Sequence, residues 1–368
     1  MMKRAALTSL FVALLATAQS SFEDISRRAA EALDARPAEA AKLFTQALRL
    51  KPDWAEGWLY LGASLAQTQR YAEAAEAFKK GISLAPDNGT AWAFLSLCAY
   101  ELNQPAEALQ HIETADTLGI APNPAFESEV RVRAAKLYLR NGAYDEALQQ
   151  LQKIAPRATP SPDVLATAGL AAMRMNTPWD KLTTADQNFV RAAGRAAWEY
   201  AAQHPEQARR AFEELIAAHG ARPGVRYMYG IYLAESDPLA ALNEFTAEAK
   251  LAPTNGFAHA QIAFLQLKRG MPHQALEPAR TAVKLLPAEA LPRTVLGRTL
   301  LALDKPAAAI IELEAAAKLA PTRPEIPFFL QQAYKRAGRT ADAAKARAHF
   351  YKLKSQQDPL SLPAGATQ

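Results

Sequence analysis

The side chains that most often do chemistry in proteins are present here, but none of them has a catalytic or metal-binding spacing. The six histidines are scattered and form no HExxH or similar metal pattern. The sequence also has no GxSxG nucleophile motif, no phosphate-binding loop and no Gly-rich dinucleotide turn. The single cysteine, Cys98, has no basic neighbour that would activate it, and a lone buried thiol is usually inert packing. We therefore predict no catalytic residues, no metal site, no cofactor, and a protein that is not an enzyme.

A period of 34 residues dominates the sequence instead. The aromatic, large and small positions Trp58, Leu61 and Ala74 return as Trp92, Leu95 and Ala108. Prolines keep the same spacing at Pro52 and Pro86, and again at Pro253, Pro287 and Pro321. Proline lacks an amide donor and disfavours helix in the residue before it, so each unit ends at the same phase.

The segment from Trp58 to Pro86 shows what one unit contains. It predicts two amphipathic helices joined by a short turn, with Gly62, Ala74 and Gly81 allowing the helices to approach closely. This pattern resembles the tetratricopeptide repeat, a helix–turn–helix unit of 34 residues. The resemblance implies an all-α fold, a right-handed α-solenoid of stacked antiparallel helix pairs. About nine to ten repeats are expected, with an irregular segment in the middle.

The sequence predicts five segments along the chain. These are a signal peptide at 1–18, an N-terminal repeat array at 19–175, an irregular seam at 176–184, a C-terminal array at 185–357 and a disordered tail at 358–368. Residues 163–175 predict a helix for which the sequence shows no partner. Either the partner is degenerate, or the arrays meet in a seam that stays packed, with a hinge as the alternative. Trp179 in this seam is either a contact residue or a cover for a gap in the core.

The first residues predict export. Lys3 and Arg4 precede an apolar run from Ala5 to Ala16, and Ala16-Thr17-Ala18 fits a small-x-small cleavage site. The run is too short for a confident membrane span, so the mature chain is expected to have no transmembrane segment and to be periplasmic or secreted. An uncleaved amphipathic helix at the start of the array is the alternative. Without Lys3 and Arg4 the net charge falls from +5 to +3, too small an excess to imply a nucleic-acid partner.

The family resemblance also implies a binding surface. In this family the second, fifth, ninth and twelfth positions of each unit face a groove that holds a peptide or a partner's helix. In the C-terminal units these positions include an apolar set that we predict to bind a protein partner: Tyr227, Ile231, Phe257, Phe264, Leu267, Leu291, Arg298, Leu301 and Phe328. No asparagine stands at the ninth positions, so a clamp for a terminal carboxylate of the chaperone-binding type is not supported.

These features favour a non-catalytic interaction scaffold or adaptor of the cell envelope with a largely apolar groove. The alternative is an envelope-biogenesis or polysaccharide-export factor whose aromatic residues, such as Tyr227 and Phe257, stack on a glycan. A third possibility is an anionic surface bound by the basic residues of the last helix, which a charged outer face explains more simply. The sequence does not identify the partner or the oligomeric state.

Overall fold

The computed structural model describes residues 21–357, and all regular structure in that range is helical. In the N-terminal half the helices are α1 (21–32), α2 (Pro37–Leu50), α3 (Ala55–Gln67), α4 (Tyr71–Leu84), α5 (Gly89–Glu101), α6 (Pro105–Leu118), α7 (Pro124–Arg140), α8 (Tyr144–Gln152), α9 (Pro162–Ala172) and α10 (Thr184–Ala201). They are followed by α11 (Pro205–His219), α12 (Val225–Leu233), α13 (Pro238–Leu251), α14 (Gly256–Lys268), α15 (Pro272–Leu285), α16 (Ala290–Ala302), α17 (Pro306–Leu319), α18 (Glu325–Arg336) and α19 (Thr340–Gln357). Short 3₁₀ turns cover Ala155–Arg157 and Trp179–Lys181. The all-α prediction is confirmed.

The chain forms two compact units, one ending at Ala208 and the other beginning at Arg209. Within each unit, helices that follow one another pack together, as a solenoid of helix pairs requires. The number of repeats, the hand of the superhelix and the segment boundaries expected from the sequence stay predictions. The signal segment and the tail lie outside the described residues. None of the helices within 21–357 combines the length and the apolarity that a membrane crossing needs.

We call α3, α5, α7, α12, α14, α16 and α18 first helices, and the helix that follows each of them a second helix. A glycine on the first helix meets a large side chain of the second. A Cβ added to Gly62 would lie 2.7 Å from the ring of Phe78, and one added to Gly297 would lie 2.6 Å from Leu313. Phe78 and Leu313 are fully buried as a result. The predicted role of small residues at the helix crossing is confirmed at these positions.

The start of several first helices is anchored by one recurring hydrogen bond. The ring nitrogens of Trp58 and Trp92 donate to the carbonyl oxygens of Pro52 and Pro86, at 2.9 and 3.1 Å. His259 and Arg293 stand at the same phase, and their side chains lie 3.0 and 3.3 Å from the carbonyls of Pro253 and Pro287. At these four positions a long side chain with a ring or guanidinium nitrogen reaches the carbonyl of the proline six residues earlier, so His and Arg can take the place of Trp there.

Arg131 occupies the tryptophan phase of α7 but forms a buried ionic network. Its side chain is almost fully buried; Nη1 donates to Asp116 and, at 2.9 Å, to Oε1 of Gln150. Lys153 also donates to Asp116, at 2.6 Å. Burial alone would raise the pKa of the Asp116 carboxyl, but the hydrogen bonds from Lys153 and Arg131 outweigh it and hold this pKa below its ordinary value. Paired charges here add to the apolar packing of Ile112 and Ala115 of α6 against Val130 of α7.

Helix α9, for which the sequence shows no partner, packs against α10. The two backbones nearly touch: a Cβ added to Gly169 would overlap the carbonyl of Val190, and one added to Gly194 would overlap the carbonyl of Leu165. Val190 is fully buried, in keeping with the apolar contacts expected from this region. The sequence pattern does not identify α10 as the partner of α9 for two reasons. The crossing has glycine on both helices, and an irregular connection of eleven residues, 173–183, separates α9 from α10.

Candidate binding surface on the C-terminal first helices

The nine predicted contact residues all lie on the first helices α12, α14, α16 and α18 of the C-terminal unit. Leu291 and Phe328 are the most open, with 44% and 39% of their surface exposed, and six others are partly exposed. Leu301 is 5% exposed and belongs to the core cluster formed by α14 to α19. It therefore supports the surface from beneath, and the other eight side chains are accessible in part.

Arg298 is the centre of this surface. Its guanidinium carbon lies 5.3 Å from the ring centre of Phe264 on α14 and 4.6 Å from that of Phe329 on α18. A guanidinium within about 6 Å of a ring is attracted by the ring's electron-rich face. The contacts place one cation between aromatic residues of the two neighbouring first helices. We call this group the Phe264–Arg298–Phe329 stack.

The positive charge of the stack is not neutralised within the protein. Among residues 21–357, no carboxylate forms an ion pair with Arg298, and no acceptor takes a hydrogen bond from it. Burial lowers the pKa of its guanidinium from the ordinary value, although an arginine remains charged at neutral pH. Lys268 adds a second cation, 5.7 Å from the ring of Phe264. A half-buried, unpaired guanidinium is a preformed site for an acidic group of a partner.

The remaining predicted residues extend the aromatic surface on both sides of the stack. Tyr227 lies 6.4 Å from Phe257, measured between ring centres, so α12 and α14 meet through aromatic residues. At the other side, Phe328 contacts Phe329 at 5.3 Å and Phe350 of α19 at 5.5 Å. Aromatic residues with a central arginine are the composition enriched at binding hot spots.

Phe329 and the role of Arg298 as a stacked cation are not evident from the repeat positions alone. Arg298 follows Phe264 by 34 residues, so the two stand at the same phase of neighbouring helices. Phe329 lies one helical turn before the matching residue of α18, Gln332, and side chains three residues apart share one helix face. Scanning the next helix one turn to either side of each groove position would have found it.

Reactive groups elsewhere in the described chain do not form a competing site. Burial raises the pKa of the Cys98 thiol to about 12, so this residue stays protonated and unreactive. Within residues 21–357, no three His, Cys, Asp or Glu side chains gather closely enough to hold a metal ion.

Residues 55–88, which include α3 and α4, match the family model described as "Tetratricopeptide repeat". This is the segment whose small and large residues interlock across Gly62 and Phe78, and the same interlocking recurs through both units. Residues 55–88 therefore form a tetratricopeptide repeat. The family resemblance read from the sequence is confirmed. Repeats of this kind are protein–protein interaction scaffolds, and the fold is typically non-catalytic.

Solved structures of MamA are similar to part of this chain. One, titled "MamA RS-1 ArsTM double mutant", is 24% identical, with a TM-score of 0.41 over 45% of this chain and 93% of the other. "MamA 41-end from Desulfovibrio magneticus RS-1" is 25% identical, with a TM-score of 0.38 over 42% of this chain and 88% of the other. Likeness at this level says nothing about what the present chain binds. No curated protein matches the chain.

The interlocked glycine of the third C-terminal pair, α16 and α17, gives a test of which positions are structural. We expect Gly297→Leu to lower the free energy of unfolding by about 3 kcal/mol, because the new side chain overfills the contact with Leu313. Arg298→Ala should cost about 1 kcal/mol, since it removes only the ring contacts. Thermal unfolding of the two variants checks the order. Equal melting temperatures would show that the assignment of faces on α16 is wrong.

Proposed function

We propose that this protein is a non-catalytic adaptor of the cell envelope that holds a segment of a protein partner on the C-terminal first-helix face. The observation that carries the proposal is the Phe264–Arg298–Phe329 stack, where a half-buried cation lies between two rings without an acidic partner in the described chain. An apolar side chain of the partner would pack on the exposed Leu291 and Phe328, and an acidic one would reach Arg298. This combines the helix-in-groove mode with one charged contact.

The envelope part of the proposal is supported by the first eighteen residues alone. Lys3, Arg4 and the apolar run up to Ala16 have the composition of a secretory signal with cleavage near Ala18. Expressing the full chain in a bacterial host, fractionating the cells and determining the N-terminus of the protein by mass spectrometry tests it. Export predicts a chain that begins close to residue 19 in the periplasm or medium. An intact N-terminus in the cytoplasmic fraction would contradict export and leave the binding surface unaffected.

Phe264→Glu is expected to weaken partner binding strongly. The substitution places a carboxylate beside Arg298, where it neutralises the cation and removes one of its two rings. Loss of a central aromatic contact costs about 2 kcal/mol or more, roughly thirty-fold in Kd. The measurement is retention of envelope proteins by the immobilised chain, followed by titration of the retained protein.

The matched control is Ile311→Glu on the second helix α17. Ile311 is the most exposed large apolar residue described, at 66%, and lies on a second helix, whereas the stack lies on first helices. Retention that survives Ile311→Glu and is lost with Phe264→Glu supports the proposal. Retention that is lost with Ile311→Glu and survives Phe264→Glu would place the binding surface on the second helices. Retention of purified glycan in place of protein would favour the polysaccharide-export alternative.

A further inference from the structure

The N-terminal unit has a cavity where the irregular connection 173–183 meets the first-helix side of the repeats. Its volume is about 660 Å³, within the 300–1,000 Å³ range of ligand sites. Tyr100 at the end of α5, Leu139 and Arg140 on α7 and Leu170 on α9 line it. Trp179 of the connection closes it. The break in the repeat pattern therefore coincides with a cavity that regular repeats would not form.

The wall contributed by the connection is held in place by hydrogen bonds and a ring contact. Nε2 of Gln187 on α10 lies 3.2 Å from the carbonyl oxygen of Trp179 and 3.3 Å from that of Leu182. The guanidinium carbon of Arg191 lies 4.8 Å from the ring centre of Trp179. The indole is thus held by contacts with α10, and the cavity is preformed.

The charge of the cavity is positive. Lys136, Arg140 and Arg191 line it, and Asp163 is the one acidic residue among its described walls. Asp163 is already paired with Lys136, at 2.7 Å. Within residues 21–357, Arg140 is exposed and has no ion pair, and Arg191 has no charged partner besides its contact with the ring. Two positive charges are therefore available to an anionic ligand.

Apolar walls lie beside these charges. Leu139, Leu170, Met175 and Trp179 present apolar surface next to the two arginines. A ligand that fits both the two arginines and the apolar walls carries a carboxylate close to a bulky apolar group. A free inorganic anion would leave the apolar surface in contact with water.

The shape favours an extended chain over a compact molecule. A second depression shares Tyr100, Lys136 and Asp163 with the cavity and continues past Val132 and Arg133 of α7. The two together follow the first helices, as an extended peptide on such a face would.

We propose that this cavity is a second peptide-binding site, which takes an acidic segment with a carboxylate next to a bulky apolar side chain. Arg140 and Arg191 bind the carboxylate, and the apolar side chain packs on Trp179. This site belongs to the N-terminal unit and is separate from the C-terminal first-helix face. In this proposal Trp179, whose role the sequence leaves open, contacts the ligand.

The test is selection of a displayed random twelve-residue peptide library on the full chain, followed by titration of synthetic peptides. We expect enriched peptides to carry Asp or Glu next to an aromatic or large aliphatic residue. Replacing that acid by its amide should weaken binding about tenfold, and Arg140→Met or Arg191→Met in the protein should remove the preference for the acid. Both arginines are exposed, so these variants keep the fold.

Arg195→Met is the matched control, because Arg195 is exposed one helical turn further along α10 and does not line the cavity. It should leave the affinity unchanged, and so should Phe264→Glu, which disables the other surface. Enrichment of peptides without carboxylates, or equal losses with Arg191→Met and Arg195→Met, overturns the proposal. Loss of the selected peptides with Phe264→Glu places them on the C-terminal face and also overturns it. Octanoate binding that depends on both arginines, without peptide enrichment, would assign the cavity to a small carboxylate instead.

Discussion

Replacing Arg131 by methionine is expected to lower the free energy of unfolding by about 3 kcal/mol. The side chain of Arg131 is 5% exposed and joins Asp116 of α6 to Gln150 of α8. Methionine fills much of the space but leaves the Gln150 carbonyl without this donor. Asp116 keeps its ion pair with Lys153 in this variant. The expected loss of unfolding free energy therefore lies near the lower end of the range for a broken buried ion pair. Urea denaturation followed by circular dichroism measures it.

Arg133→Met provides the comparison on the same helix. Arg133 pairs with Glu101 and Glu129, both at 3.0 Å, but 29% of its side chain is exposed. An exposed pair of this kind contributes about 1 kcal/mol or less. If the two variants lost the same free energy, the buried network would not be what joins α6, α7 and α8.

Gly194→Ala is expected to lower the free energy of unfolding by about 2 kcal/mol, in spite of the better helix propensity of alanine. Alanine in a helix interior is favoured over glycine by about 1 kcal/mol. The new methyl group would overlap the carbonyl oxygen of Leu165, and only separation of α9 from α10 relieves that contact. Overpacking against backbone costs about 3 kcal/mol, which exceeds the propensity gain. Chemical denaturation gives the net value.

Gly62→Ala compares a clash with a side chain to the clash with backbone in Gly194→Ala. Its new methyl group meets the ring of Phe78, a side chain that can shift. The loss there should be smaller than that of Gly194→Ala. A stabilised Gly194→Ala variant would show that α9 and α10 do not cross as closely as the structure has them.

Much of the fold follows from the sequence because the repeat pattern has a simple physical origin. Gly62 and Phe78 are sixteen residues apart, as are Gly297 and Leu313, and each pair marks one helix crossing. The α9–α10 pair was not found by this means, because Gly169 and Gly194 place glycine on both helices and follow no 34-residue phase. The closest contacts of this crossing run from each glycine to a backbone carbonyl, and a search for a large residue opposite a small one does not detect them.

The candidate surface was predictable as a set of positions but not as chemistry. The 34-residue spacing of Phe264 and Arg298 places them on neighbouring first helices. The Phe264–Arg298–Phe329 stack, however, depends on the direction of the long, flexible side chain of Arg298. The same limit applies to Arg131: its place in the repeat is evident, but its partners Asp116 and Gln150 lie fifteen and nineteen residues away, on two different helices. Polar contacts between helices are set by tertiary packing, which local periodicity does not encode.

The central claim is that a protein partner lies on the C-terminal first helices, and site-specific photo-crosslinking tests it most directly. A photoreactive phenylalanine analogue is placed at Phe328 or, separately, at Ile311, and the full chain is irradiated with the partner that it retains. If solvent exposure alone decided the yield of cross-linking, position 311 would give more product, since Ile311 is 66% exposed and Phe328 is 39% exposed. We predict a cross-linked product from position 328 and none from position 311. A product from position 311 alone would contradict the account.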